Sequence, residues 1–176
     1  MDHSEHLVHG SWLPAWLRAL WVIAFGVVAL VHLRHARTMP GEYRLWHAGH
    51  VLMGAAMAYM YLSASLVPPA AAVALFATAA VAGLGVGAYF RLDTGRFNPL
   101  WLLAAAEMAV MVYMFLPMGL RSLPVSVVLA AYLAGIGLLW TVGWWDRHYR
   151  TGRPVPTLRA SLVTMTAGMA YMLLAM

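Results

Sequence analysis

The chain has 176 residues, 63% of them apolar and only 10% charged, with a formal net charge of +5 and no cysteine. A soluble domain carries about a quarter charged residues, so this composition excludes an ordinary water-soluble fold. The missing thiols exclude disulfides, thiolate metal sites and cysteine nucleophiles.

In chain order, residues 1–11, "MDHSEHLVHGS", form a polar tail that is too acidic and histidine-rich for a cleavable signal. His3, His6 and His9 alternate there with Asp2 and Glu5. A free amine, two backbone amides and the His3 imidazole make a square-planar nitrogen set of the kind Cu(II) or Ni(II) favours. The tail is therefore a candidate second metal site, with a merely solvated segment as the plain alternative.

Residues 12–176 read as one transmembrane domain. Apolar runs of roughly 20 residues predict spans at 12–33, 46–66, 70–90, 99–117, 123–145 and 158–176. Backbone in hydrocarbon must satisfy its own hydrogen bonds, so the spans are helices and the fold class is all-α. Pro and Gly punctuate every joint: "TMPGEY", "VPPA", "DTGRFNP", "LPMGLRSLP" and "RTGRPVP".

All eleven basic residues are arginine. Nine lie in the first, third and fifth joints, as Arg34, Arg37, Arg44, Arg91, Arg96, Arg147, Arg150, Arg153 and Arg159. The positive-inside rule puts those joints in the cytoplasm and both termini outside, in a multi-pass cell-membrane protein. The positive charge thus has a topological origin, and no nucleic-acid partner is expected. "RLDTGRFNPLW" and "RHYRTGRPVPTL" are similar joints, which points to three divergent copies of a two-helix hairpin.

The methionines are unevenly spread. Of thirteen, eleven lie in or at the ends of the second, fourth and sixth spans, and the other two are Met1 and Met39. Aligning the three even helices on Met-x-Tyr-Met pairs Met60 with Met114 and Met172, and Met57 with Met111 and Met169. Met53 pairs with Glu107 and Met165, and Tyr59 with Tyr113 and Tyr171. Spacings of three and four keep each set on one helix face. Around a pseudo-threefold axis, with the even helices inward, these rows become layers roughly 4.5–6 Å apart. Met118 and Met176 would add a partial outer layer.

Thioethers are neutral, soft ligands that select Cu(I), and successive weak sites allow an ion to leave as readily as it enters. Glu107, an ionisable residue in mid-span, marks function by default and can offset the ion's charge. Met is also an ordinary gap-filler in cores, so packing alone is the competing account, and a pocket for a quinone or lipid is a third.

His47 and His50 extend the ladder face of the second span. His32 and His35 form a similar pair across the same joint, so the four can make a cytoplasmic cluster suited to copper or to haem. The odd spans carry "GLGVG" (83–87) and "AGIG" (134–137), small residues that let helices approach closely in lipid. No Walker loop, dinucleotide fingerprint, H-E-x-x-H or G-x-S-x-G is present, so hydrolytic chemistry is not expected.

"HAGHVLMGAAMAYM" resembles the start of an uncharacterised bacterial membrane-protein family of high-GC Gram-positive type, known only as a domain of unknown function. The resemblance rests on His50, Met53, Met57 and Met60 and the six-span layout. By analogy the ladder is also similar to that of CTR-type copper transporters, trimers that stack M-x-x-x-M triads on a threefold axis. Met53 and Met57, like Met165 and Met169, have that spacing; Glu107 departs from it, as do span count and single-chain layout. The expectation is a membrane protein that binds Cu(I) for transport, storage or delivery. A copper donor or acceptor protein, a homo-oligomer or a membrane complex would be its partner beside the bilayer. A haem or copper redox protein, or an accessory subunit, is the alternative.

Overall fold

A computed structural model describes residues 14–62, 67–149 and 156–175. Among the described residues every regular element is helical: α1 (Ala15–Thr38), α2 (Glu42–Tyr61), α3 (Pro69–Thr94), α4 (Leu100–Phe115), α5 (Leu123–Thr141), α6 (Trp144–Tyr149) and α7 (Pro156–Ala175). A single 3₁₀ turn, Met118–Leu120, bridges α4 and α5.

The helices stop where local chemistry demands it. Met39 precedes Pro40 and is extended (φ −93°, ψ 137°), because the proline ring disfavours helical backbone in the residue before it. Gly41, at φ +62°, reverses the chain so that α2 starts at Glu42, earlier than the expected 46. Gly95 closes α3 in the left-handed conformation, its N–H bonded to the Arg91 carbonyl, a common glycine cap. Leu116 turns extended before Pro117, which limits α4 to 16 residues. The fifth expected span breaks at Val142 and Gly143, and Trp144–Tyr149 becomes a separate short helix.

Four helices, α1, α3, α5 and α7, are long and apolar enough to cross a membrane. α4 is apolar but measures only about 24 Å at 1.5 Å per residue. α2 opens on Glu42 and Arg44 and holds two histidines.

α1 packs along α2, α3 along α4, and α5 along α7; α1 also meets α7, and α2 meets α3 and α4. Each pair has a site of close approach. A Cβ on Gly54 of α2 would lie 3.3 Å from the Ala29 nitrogen of α1, and one on Gly87 of α3 would lie 2.9 Å from Trp101 Cβ of α4. A Cβ on Gly137 of α5 would lie 2.8 Å from Thr166 Oγ1 of α7. Without a hydrophobic force between helices in lipid, such approach and the dispersion it gains hold the pairs together.

Half of the apolar span of α7 is buried, against 17% in α1 and α3 and 28% in α5. On α1 the exposed side chains Trp16, Leu20, Ile23, Val27 and Leu30 form a stripe at steps of three and four, opposite buried Phe25, Val28, His32 and Ala36. Such a stripe suits contact with lipid. α4, the shortest of the long helices, buries ten of its 16 residues.

Candidate functional site

The sharp Pro40–Gly41 turn lays the end of α1 against the start of α2, and this brings four histidine rings together. His32 and His47 centroids lie 5.1 Å apart, His32 and His50 are stacked at 4.9 Å, and His35 and His47 lie at 5.1 Å. His32, His47 and His50 are buried, while His35 is half-buried toward the loop.

The hydrogen bonds assign tautomers. Ser161 of α7 donates its one hydroxyl proton to the Leu158 carbonyl at 2.7 Å, so at 3.1 Å it accepts from His32 Nε2. His32 Nδ1 then carries the lone pair and accepts from His47 Nδ1 at 2.9 Å. His50 Nδ1 donates to the Trp46 carbonyl at 2.9 Å, and His35 Nδ1 to the Val31 carbonyl at 2.7 Å. In His35 and His50 the lone pair therefore sits on Nε2, the pattern in which a bonded Nδ1–H orients an imidazole ligand.

His50 Nε2 faces Glu107 Oε2 of α4 at 3.5 Å. Both atoms are buried and neither has a hydrogen-bond partner. A clamp at the helix starts sets this register. Glu42 accepts from Asn98 Nδ2 at 3.3 Å and from Trp101 Nε1 at 3.1 Å, while Trp46 Nε1 donates to the Leu100 carbonyl at 3.2 Å. From Glu42 to His50 α2 rises about 12 Å, and from Leu100 to Glu107 α4 rises about 10.5 Å, so the two side chains reach one level. Tyr132 of α5 lies within electrostatic reach of the same carboxyl.

Methionine lines the buried faces of α2, α4 and α7. Met53, Met57, Met111, Met114, Met165 and Met169 are at most 2% exposed and Met172 is 9% exposed. Met60 is half-buried and Met118 is exposed. Among the described residues no group of three or more His, Asp or Glu is placed to hold a metal ion, so an ion in this core would need thioether sulfur as well. The tail histidines His3, His6 and His9, and Met176, lie outside the described residues.

Three residues here escape sequence reasoning. Trp46 has no ligand chemistry that a sequence could flag, yet its ring centroid lies 3.9 Å from that of His50 and its carbonyl orients it. Ser161 looks like one small residue among many, and only the meeting of α1 with α7 makes it a partner of His32. Met108 falls outside the three aligned rows, yet it is buried and its Cε lies 3.2 Å from where a Cβ on Gly49 would sit. Its i+1 position relative to Glu107 was the available signal.

Residues 42–176 match the profile of a protein family described as a domain of unknown function, DUF5134. No curated protein and no solved structure matches the chain.

Proposed function

We propose, for a chain that belongs to the DUF5134 family, that it binds Cu(I) inside the membrane through His50, Glu107 and the buried methionines, for transport, storage or delivery. The observation that carries this reading is the His50–Glu107 pair. Leaving a buried polar atom without a hydrogen bond costs about 1–3 kcal/mol, and such atoms in a native core call for a reason. Two donors bound to one ion at about 2.0–2.2 Å, as in zinc sites, sit roughly 3.3–3.6 Å apart at a near-tetrahedral angle. The observed 3.5 Å has that span and is long for a hydrogen bond.

The ion's identity follows from the remaining ligands. Thioethers disfavour Mg(II), Ca(II) and Mn(II), and suit Cu(I). One carboxylate against one monovalent cation leaves the site neutral, which matters where charge is costly to bury. Met57, Met111 and Met169, with Met53 and Met165, supply neutral sulfur at the levels above; Met60, Met114 and Met172 continue toward the far end, and His47 toward the loop. Copper redox chemistry is not part of this reading.

The six-span arrangement, with α2 and α4 crossing beside α1, α3, α5 and α7, is the reading under which these layers line one axis. Two tyrosines support the repeat. Tyr59 and Tyr113, equivalent in the Met-x-Tyr-Met alignment, each accept a backbone N–H from the loop that follows, from Val67 at 2.8 Å and Ser122 at 2.9 Å. The Arg-rich joints then face the cytoplasm and both termini the outside.

The test is copper content after anaerobic Cu(I) loading of the purified protein, beside a variant with Met57, Met111 and Met169 all changed to leucine. Leucine keeps volume and apolarity. Copper in the parent and its loss in the variant supports the site; equal content in both, or none in the parent, rejects it. An intense visible haem spectrum would turn the assignment to the histidines instead.

A further inference from the structure

We propose that the arginine end of the bundle is a binding surface for the headgroups of anionic phospholipids. The inference goes beyond the copper reading and does not depend on it.

Long-range hydrogen bonds gather the arginines at one end. The α1–α2 turn is flanked by Arg34, Arg37 and Arg44, and Glu42 beside it accepts from Asn98 and Trp101, which brings in the α3–α4 joint with Arg91 and Arg96. His32 bonds to Ser161 near the start of α7, and Arg159 there to Asp146 of α6, next to Arg147. Arg34, Arg37, Arg44, Arg91, Arg96 and Arg147 are all exposed. Among the described residues none of these six side chains has an ion pair or a hydrogen bond. The acids of the same end are already engaged. Glu42 is held by Asn98 and Trp101, and buried Asp146 by Arg159. Asp93 is the one exposed acid among the described residues, so six outward cations are set against one outward anion.

Apolar side chains interleaved with these charges favour a lipid over a soluble acidic protein. Leu45 follows Arg44 and is 49% exposed, and Leu92 follows Arg91 and is 87% exposed. Leucine can enter the acyl layer while the neighbouring guanidinium, on its flexible stem, stays at the phosphates. The 26 residues of α3 measure about 39 Å, against roughly 30 Å of hydrocarbon. With Pro69 at one edge, the last turns, from exposed Tyr89 to Thr94, lie among the headgroups, where tyrosine is also favoured. Arg34 and Arg37 share one face of α1 at a spacing of three, so one phosphate can meet both guanidinium forks, a geometry matched to its oxygens. A zwitterionic headgroup brings its own ammonium to the phosphate, whereas an anionic one leaves that charge to the arginines.

The experiment uses the full chain in detergent, titrated with dioleoylphosphatidylglycerol or with dioleoylphosphatidylcholine, and native mass spectrometry reads the lipid bound per chain. The parent is compared with a variant combining Arg34→Gln, Arg37→Gln, Arg91→Gln and Arg96→Gln, and with one in which the same four become lysine. The parent is expected to bind the glycerol lipid at least fivefold more tightly than the choline lipid. The glutamine variant is expected to lose that preference and the lysine variant to keep most of it, because charge at the surface supplies much of the attraction. Equal affinity of the parent for the two lipids overturns the proposal, and so does a preference that the glutamine variant retains. Polyglutamate bound by a parent without lipid preference assigns the face to an acidic protein instead. The four side chains are exposed and make no ion pair, so the melting temperature is expected to hold. If the fourfold glutamine variant does not fold, Arg34→Gln with Arg37→Gln decides alone.

Discussion

The imidazole Nε2 of His50 and the carboxyl Oε2 of Glu107 face each other across 3.5 Å, both side chains buried. Neither atom has a hydrogen-bond partner, so the pair contributes less to stability than two apolar residues of the same shape would. Replacing Glu107 should therefore separate stability from binding. In Glu107→Leu the melting temperature is expected to hold or rise, while Cu(I) affinity falls at least tenfold in competition titrations. A variant that loses stability and keeps copper would show the carboxyl to be structural.

Trp46 offers an optical handle on the same site. Its ring centroid lies 3.9 Å from that of His50, so an ion at Nε2 changes its surroundings. Cu(I) loading is expected to quench part of the tryptophan emission, and Trp46→Phe to remove most of that change. Eight tryptophans are present, so the readout is the difference between parent and variant. Trp46→Phe also removes the Nε1 bond to the Leu100 carbonyl, a loss of about 0.5–1.5 kcal/mol.

Sulfur position matters more than sulfur number. Met118 is 63% exposed and Met111 is wholly buried beside the carboxyl helix turn. Met118→Leu is expected to keep the parent's copper content and Met111→Leu to lower its affinity several-fold. Equal effects would point to surface thioethers as the copper sink.

Gly168 of α7 packs directly against side chains of α1. A Cβ there would overlap the Phe25 ring, with Cε2 at 2.8 Å, and the Trp21 ring at 2.9 Å. Those rings stack on each other and on Tyr61, whose hydroxyl donates to the Gly168 carbonyl at 3.2 Å. Phe25 is wholly buried, so its ring would have to give way inside a packed core, and Gly168→Ala should destabilise by about 1–3 kcal/mol. Thermal unfolding in detergent measures this. Gly135→Ala is the matched control, since nothing lies within 4 Å of its added methyl.

The glycines show how far a pattern can be read. "GLGVG" and "AGIG" mark α3 and α5 as helices that pack closely, and Gly87 and Gly137 do touch their partners, while Gly85 and Gly135 touch nothing. Composition tells that small residues are needed; which of them meets a neighbour depends on helix rotation, which no local rule sets. Helix ends follow the same division. Pro40, Pro117 and Gly95 can be read as stops, but the break of the fifth span at Gly143 shows itself only through its positive φ.

The candidate site divides likewise. The methionine periodicity, the isolated Glu107 and the paired histidines are one-dimensional facts, fixed because helical spacing puts residues three and four apart on one face. So are the membrane class and the placement of arginine at alternate joints. What only the tertiary structure decides is the level at which α2 meets α4, and so the meeting of His50 with Glu107. That level is set by the clamp of Glu42 with Asn98 and Trp101, residues 56 and 59 positions apart in the chain. It also decides that Ser161 orders the tautomers of His32 and His47 from 129 positions away. Periodicity fixes which face of a helix is turned inward, but its height and neighbours come from packing and long-range hydrogen bonds.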